Sequence, residues 1–233
     1  MLVHATGTSS VWFRPVVPEL SKTWRVIAFD RPGWGRSAAP VDYRKTSIPE
    51  QAIATAAVLR EQGAEIAHVA GVGFGAVVAL ELALAEPDMV ERAVLLEPPV
   101  LDTQTEATEG MSDDVAAIRD AAAEDGEAGV WELFLSGGLP TLGAGAARLG
   151  ADADPGPGAA HTLLVELPAV PAWPLDPGRA GGLEVPVVVA TAPSSPPLLV
   201  EAADALARRL PGSERLAAER DGPSGLAGLL RGP

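Results

Sequence analysis

Ile66-Ala67-His68-Val69-Ala70-Gly71-Val72-Gly73-Phe74-Gly75-Ala76 is the stretch that decides the fold. An apolar run, Ile66–Ala70, meets glycines at 71, 73 and 75 and passes into a helical pattern that continues to about Ala85. Glycine permits both a tight strand-to-helix turn and close backbone approach. The stretch therefore predicts a buried strand delivering its chain straight into a helix.

Working outward, apolar runs bounded by turn residues predict further buried strands at Met1–His4, Arg25–Phe29, Ala93–Leu96 and Val187–Thr191, with a weaker one at Glu214–Ala218. Helical patterns lie between them: one opened by Ser47 or Pro49 and running to about Gln62, and one from Pro196 to about Leu210. Strands alternating with helices predict an α/β fold with a doubly wound, mostly parallel sheet. Pro98-Pro99 closes one half, and Gly181-Gly182 with Pro186 opens the other. The core is thus expected over 1–100 and 180–233, with a helical lid insertion over 101–179. Its helices are expected at Ser112–Ala123, Glu127–Leu135 and Ala159–Val165, with Asp154–Gly158 as a mobile connector.

Composition narrows the function classes. A length of 233 residues and 47% hydrophobic content suit one domain with a sizeable core. The net charge of −14 opposes nucleic-acid binding, which needs clustered Lys and Arg. There are no cysteines, so disulfides and thiolate metal sites are excluded; no cofactor is expected. No stretch predicts a membrane span or a secretory leader, and a cytoplasmic location is the plain expectation. Abundant Ala, Gly, Pro and Arg, with lysine only at Lys22 and Lys45, suggests a GC-rich bacterial genome.

Four blocks together resemble the α/β-hydrolase superfamily over nearly the whole chain, especially its lidded epoxide-hydrolase and esterase-like branch. They are Val3-His4-Ala5-Thr6-Gly7, Phe29-Asp30-Arg31-Pro32-Gly33-Trp34-Gly35-Arg36-Ser37, Gly71 to Gly75, and Val185-Pro186-Val187-Val188-Val189. In that family the third block is a Gly-x-Ser-x-Gly elbow whose serine is the nucleophile. Here its centre is Gly73, which has no side chain to attack a carbonyl. The position of the family's acid reads Ala192-Pro193-Ser194-Ser195-Pro196, and Pro223 falls where the resemblance places the histidine base. All three triad positions read as vacant. The resemblance also implies an N-terminal hairpin that this chain lacks, which would leave Arg25–Phe29 as an open sheet edge. Open edges tend to pair or to be covered, so a homodimer contact or a covering segment is expected there.

The remaining candidates each carry a plainer reading. Phe74 and the Ala5–Thr6 loop are expected to offer backbone N–H donors to an oxyanion, although Gly73 and its neighbours equally serve the turn. His4 is first a loop-ordering residue and second a proton shuttle. His161 is read as a solvated lid histidine with a possible catalytic role, His68 as surface. Asp30 suits turn formation as well as ligand binding at a strand's carboxyl end. Glu97 either ends its strand or acts as a buried acid or base, and Asp102 is a weaker version of the same idea. Trp131, Phe134 and Trp173 in the insertion, with Trp12 and Trp34 in the loops beside the elbow, are expected to line an apolar pocket.

Three functions follow. The favoured one is a non-hydrolytic enzyme, a cyclase, isomerase or lyase of bacterial secondary metabolism acting on an apolar small molecule by pocket shape, proton transfer and retained amide donors. The second is a non-catalytic small-molecule binding protein. The third is a hydrolase of epoxides or lactones with relocated residues, drawing on His4, His161, Asp30 or Glu97 to activate water.

Overall fold

In a computed structural model, residues 1–101, 105–139, 141 and 156–231 are described. In chain order these form β1 (Leu2–Val3), α1 (Val17–Leu20), α2 (Ile48–Glu61), β2 (Ala67–Val72), α3 (Phe74–Ala85), β3 (Val90–Leu96) and α4 (Thr105–Leu135). They continue with α5 (Ala159–Glu166), α6 (Pro177–Gly181), β4 (Val187–Thr191), α7 (Pro197–Arg209), β5 (Glu214–Ala217) and α8 (Gly222–Arg231). The strands form a five-stranded parallel sheet in the order β1-β2-β3-β4-β5.

Period-two alternation sends side chains to opposite faces. Val69, Leu95, Val187 and Val189 meet α2, α3 and α7 on one face. Ala70, Val72, Val94, Leu96, Val188 and Ala190 meet Phe13, Leu20 and the α8 residues Leu226 and Leu229 on the other. Both faces being covered explains why these strands read as unbroken apolar runs.

Local signals set the helix starts. The Ser47 hydroxyl accepts from the Glu50 N–H at 3.3 Å, an N-cap that opens α2, and donates to the Glu50 carboxylate at 3.0 Å. At the head of α3 the glycines are steric requirements. A Cβ on Gly75 would lie 2.3 Å from the Val3 carbonyl oxygen, and one on Gly71 would lie 2.1 Å from that of Gly75. Only glycine lets α3 sit this close to β1 and β2.

One expected strand is missing. Arg25–Phe29 makes a single bridge, Ala28 to Leu2, instead of a ladder. The Leu2 N–H donates to the Ile27 carbonyl at 2.8 Å, and the exposed Arg25 reaches away to the Gln62 carbonyl at 2.7 Å. With β1 only two residues long, there is no partner for a longer ladder.

Between β3 and β4 the expected helices appear with different limits. The two segments expected at Ser112–Ala123 and Glu127–Leu135 run on as α4, broken at Gly126 (φ 64°, ψ −146°). Asp102, and Asp154 and Pro155 of the expected connector, lie outside the described residues. This helical segment has its own core of Ile118, Val130, Phe134, Leu139 and Leu163, closed on Trp34 of the sheet domain.

A buried ion pair joins the two layers. Glu166, the last residue of α5, and Arg31, in the loop after Phe29, both have fully buried side chains. Arg31 donates through Nη1 at 2.5 Å and Nη2 at 2.9 Å to the two Glu166 oxygens, and through Nε to the His4 carbonyl at 3.0 Å. The Trp34 indole N–H (2.7 Å) and the Thr6 hydroxyl donate to the same carboxylate. Glu166→Ala would leave Arg31 charged and unpaired in the interior. We expect a loss of about 3–5 kcal/mol of stability by urea unfolding, with most of it recovered in the double variant Arg31→Met/Glu166→Leu, because a buried pair and an apolar replacement are close in energy.

Candidate functional site

The loops at the carboxyl ends of β1, β2, β3 and β4 converge beneath the helical segment and enclose a cavity of ≈ 100 Å³. Its floor is Ala5, Thr6, Val72, Gly73 and Phe74. Glu97, Pro99 and Leu101 form one wall, and Leu198 and Leu199 of α7 another. The helical segment adds Met111, Phe134, Thr141, Leu167 and Val170 as the roof.

Gly73 stands at the turn with φ 55° and ψ −124°, a conformation unfavourable for residues with a side chain. Yet there is room for one. A Cβ there would meet only the Ala5 methyl, at 3.4 Å. Unlike Gly71 and Gly75, Gly73 is not required by packing. Phe74 is the first residue of α3, so its N–H has no acceptor within the helix and lies where the helix dipole is positive. Thr6, across the floor, is held by its bond to Glu166.

Glu97 follows β3 at φ 53°, unusual for a residue with a side chain. Two backbone bonds fix it there. Its N–H donates to the Ala190 carbonyl at 2.8 Å, while the Gly73 N–H donates to the carbonyl of the preceding Leu96 at 2.9 Å. The Ser195 hydroxyl donates to Glu97 Oε1 at 2.5 Å and accepts from the Ala192 N–H at 2.7 Å. Among the described lining residues Glu97 is the one ionisable side chain, and apart from Thr6 and Thr141 the rest are apolar.

The structure thus brings Ala5, Thr6, Gly73, Phe74, Glu97 and Phe134 to one cavity, and separates the other candidates from it. His4 is fully buried. Its Nδ1–H donates to the Ala5 carbonyl at 2.8 Å, and its Nε2 accepts the Arg31 N–H at 3.0 Å. Both ring nitrogens are therefore committed to the neutral form. Burial, and then the neighbouring Arg31 guanidinium, hold its pKa well below the ordinary 6.5, so it orders the loop and shuttles no proton. Asp30 accepts from the Ser10 N–H at 2.8 Å and the Arg36 N–H at 3.0 Å. Burial favours its protonated form, but these bonds outweigh that and hold it below its ordinary 3.8. It is a turn residue. The exposed His161 pairs through Nε2 with the Tyr43 carbonyl at 2.6 Å, outside the cavity.

The expected aromatic lining is also corrected. Trp34 is fully buried against Glu166, and Trp131 packs edge-to-face on Phe134 at 5.7 Å from behind. Trp173 donates to Glu81 of α3 at 3.1 Å, and Trp12 packs on Phe13. Pro223 lies in α8 and does not line the cavity. The two loops read as sites of the acid and base hold each other instead: Asp221 accepts from the Ser194 N–H at 3.0 Å and its hydroxyl at 2.6 Å.

Sequence reasoning missed Arg31 and Glu166 as partners and Ser195 as the companion of Glu97. A signal existed for one of them. Glu166 is a lone acid in the apolar run Leu163-Leu164-Val165-Glu166-Leu167, and an acid so placed needs a buried partner.

The chain belongs to the alpha/beta hydrolase family, whose model matches residues 1–225. It is 30% identical over 148 residues to the pimeloyl-[acyl-carrier protein] methyl ester esterase of Edwardsiella ictaluri, a match covering 64% of this chain and 54% of the relative. It is 38% identical over 101 residues to the 2-hydroxymuconate semialdehyde hydrolase of Pseudomonas sp. strain CF600, covering 41% and 35% respectively. The chain thus spans about a third to a half of these curated relatives. The fold is shared with the enol-lactonase from Burkholderia xenovorans LB400, at TM-score 0.69 and 20% identity over 97% of this chain and 84% of the other. These relatives are named as enzymes that hydrolyse, which overturns the expectation of a cyclase, isomerase or lyase of secondary metabolism. No helix among the described residues is long and apolar enough to cross a membrane.

Two outcomes follow from this geometry. Gly73→Ser will fold, at a backbone cost of about 1–3 kcal/mol, yet will show no fluorophosphonate labelling above wild type, since no histidine is among the described lining residues. Strong labelling of the variant would place a working base where none is seen. For His4, the unfolded chain binds a proton that the native ring refuses, so stability falls as pH drops below about 6.5, by up to about 1.4 kcal/mol per pH unit. His4→Asn will be less stable throughout but will lack this component between about pH 6.5 and 5.5, as read by urea unfolding at several pH values.

Proposed function

We propose that this chain hydrolyses a small apolar ester or lactone without a covalent intermediate, with the Glu97 carboxylate as general base. The observation that carries this reading is the placing of Glu97. It is the one ionisable side chain among the described lining residues, and it is fixed by Ser195 beside a turn that has lost its side chain at Gly73. Of the residues considered from sequence for activating water, His4, His161 and Asp30 are committed elsewhere. The hydrolytic names of the relatives support the reaction class.

In the mechanism, the substrate carbonyl oxygen points to the Phe74 N–H and the Ala5–Thr6 loop. Water attacks the carbonyl carbon while its proton passes to Glu97, and negative charge grows on the oxygen facing the start of α3. The tetrahedral intermediate then expels the alkoxide, which recovers the proton from Glu97 to give acid and alcohol. General-base assistance contributes about 10²- to 10⁴-fold, and a well-aimed oxyanion donor about 3 kcal/mol. Ser195 keeps the carboxylate aimed, and the apolar walls exclude competing water.

Turnover of uncharged aryl esters and γ- or δ-lactones will show no burst, because no acyl-enzyme accumulates. Glu97→Gln will lower kcat by about 10²- to 10⁴-fold while KM changes little. A wild type that binds these compounds and leaves them intact would make the chain a binding protein.

A further inference from the structure

A trans peptide is planar, so fixing its carbonyl also fixes the direction of the N–H on its other side. The Ala5–Thr6 peptide is fixed in this way. Its carbonyl accepts from the His4 Nδ1–H at 2.8 Å and from the Thr8 hydroxyl at 3.0 Å, and both of those residues are fully buried. The Thr6 N–H is thereby turned away from His4 and Thr8, at a residue that lines the cavity floor beside Gly73 and Phe74. The carbonyl end alone does not hold the whole peptide. Gly7 follows at φ 76°, and glycine is the residue least able to restrain the Thr6 end through the backbone.

The helical segment supplies that restraint. Glu166 accepts the Thr6 hydroxyl proton, and Phe134 lies so close to Gly7 that a Cβ there would come within 2.5 Å of the ring. Glu166 is itself held by two Arg31 N–H groups and the Trp34 indole, so Thr6 is tied to a fixed point. Arg31 also reaches Phe74, its guanidinium sitting 4.6 Å from the ring centroid. One buried ion pair thus contacts both residues assigned as oxyanion donors.

We propose that Glu166 is a positioning residue for the oxyanion site. Through the Thr6 hydroxyl it holds the Thr6 N–H in register with that of Phe74, so the site is complete only when the helical segment is seated. Oxyanion donors act by being aimed in advance at the developing charge. A displacement of about 1 Å can cost about 10²-fold in rate. The inference rests on these two N–H groups being donors to the substrate carbonyl, as in the proposed function, but requires no turnover.

Acetophenone, which has a carbonyl and no scissile bond, is the probe, bound with and without carbon-13 at the carbonyl and read by isotope-edited infrared spectroscopy. Hydrogen bonds to a carbonyl lower its stretching frequency. In wild type the band of the bound ketone will fall below its position in hexane. Thr6→Val keeps the branched shape and loses the bond to Glu166, and its band will move back toward the hexane position. Thr6→Ser keeps a hydroxyl and will recover most of the wild-type shift. A bond that served stability alone would lower the urea midpoint of Thr6→Val and leave the band where wild type has it, and that result overturns the proposal. So does a Thr6→Ser band that matches that of Thr6→Val. A wild-type band at the hexane position, or no binding of acetophenone at its solubility limit, overturns it whether or not the variants fold. A lowered, Thr6-dependent band in a protein that hydrolyses no ester leaves the positioning role standing and removes the catalytic reading alone.

Discussion

The Arg31–Glu166 ion pair is the interaction on which the rest of the molecule depends. Its partners lie 135 residues apart, one in a loop at the sheet and the other at the end of a helix above it. A buried guanidinium and carboxylate tolerate each other only where nearly every donor and lone pair is matched. Here the matching recruits the His4 carbonyl, the Trp34 indole and the Thr6 hydroxyl. The same bonds therefore seat the helical segment, fix the loop after β1 and shape the cavity floor. An apolar contact could supply the adhesion but not the register, because hydrophobic packing is not directional.

Around that pair the chemistry of the site has been pared down. The turn between β2 and α3 keeps the glycines that packing demands, and at the one position with room for a side chain it has none. The loops after β4 and β5 are closed on each other by Ser194 and Asp221. What faces the cavity is a carboxylate steadied by a serine, opposite the start of a helix. That arrangement suits activation of water better than attack by a side chain.

How much could be read beforehand varied with the range of the interactions. The strand, turn and helix around Gly73, the strand Val187–Thr191 and the start of α2 at Ser47 were legible because each rests on neighbours within a few residues. Arg25–Phe29 was misread. Its apolar residues do pack, but a ladder needs a partner strand, and β1 supplies only two residues. The tryptophans misled for a related reason: abundance in the right segments does not say which way a ring points. Trp34, Trp131 and Trp173 turn to Glu166, Phe134 and Glu81, while the smaller Phe134 reaches the cavity.

By itself the sequence determined an α/β chain with a parallel sheet and a glycine turn without a nucleophile. Local periodicity and turn chemistry suffice for those statements. Only the tertiary structure decided that His4 is a neutral strut, that Asp30 serves a turn, and that Glu97, held by Ser195, faces the cavity. These are properties of side chains meeting across 27, 20 and 98 residues of chain. Burial and the arrangement of hydrogen-bond partners decide which groups remain for chemistry, and neither exists until the chain has packed.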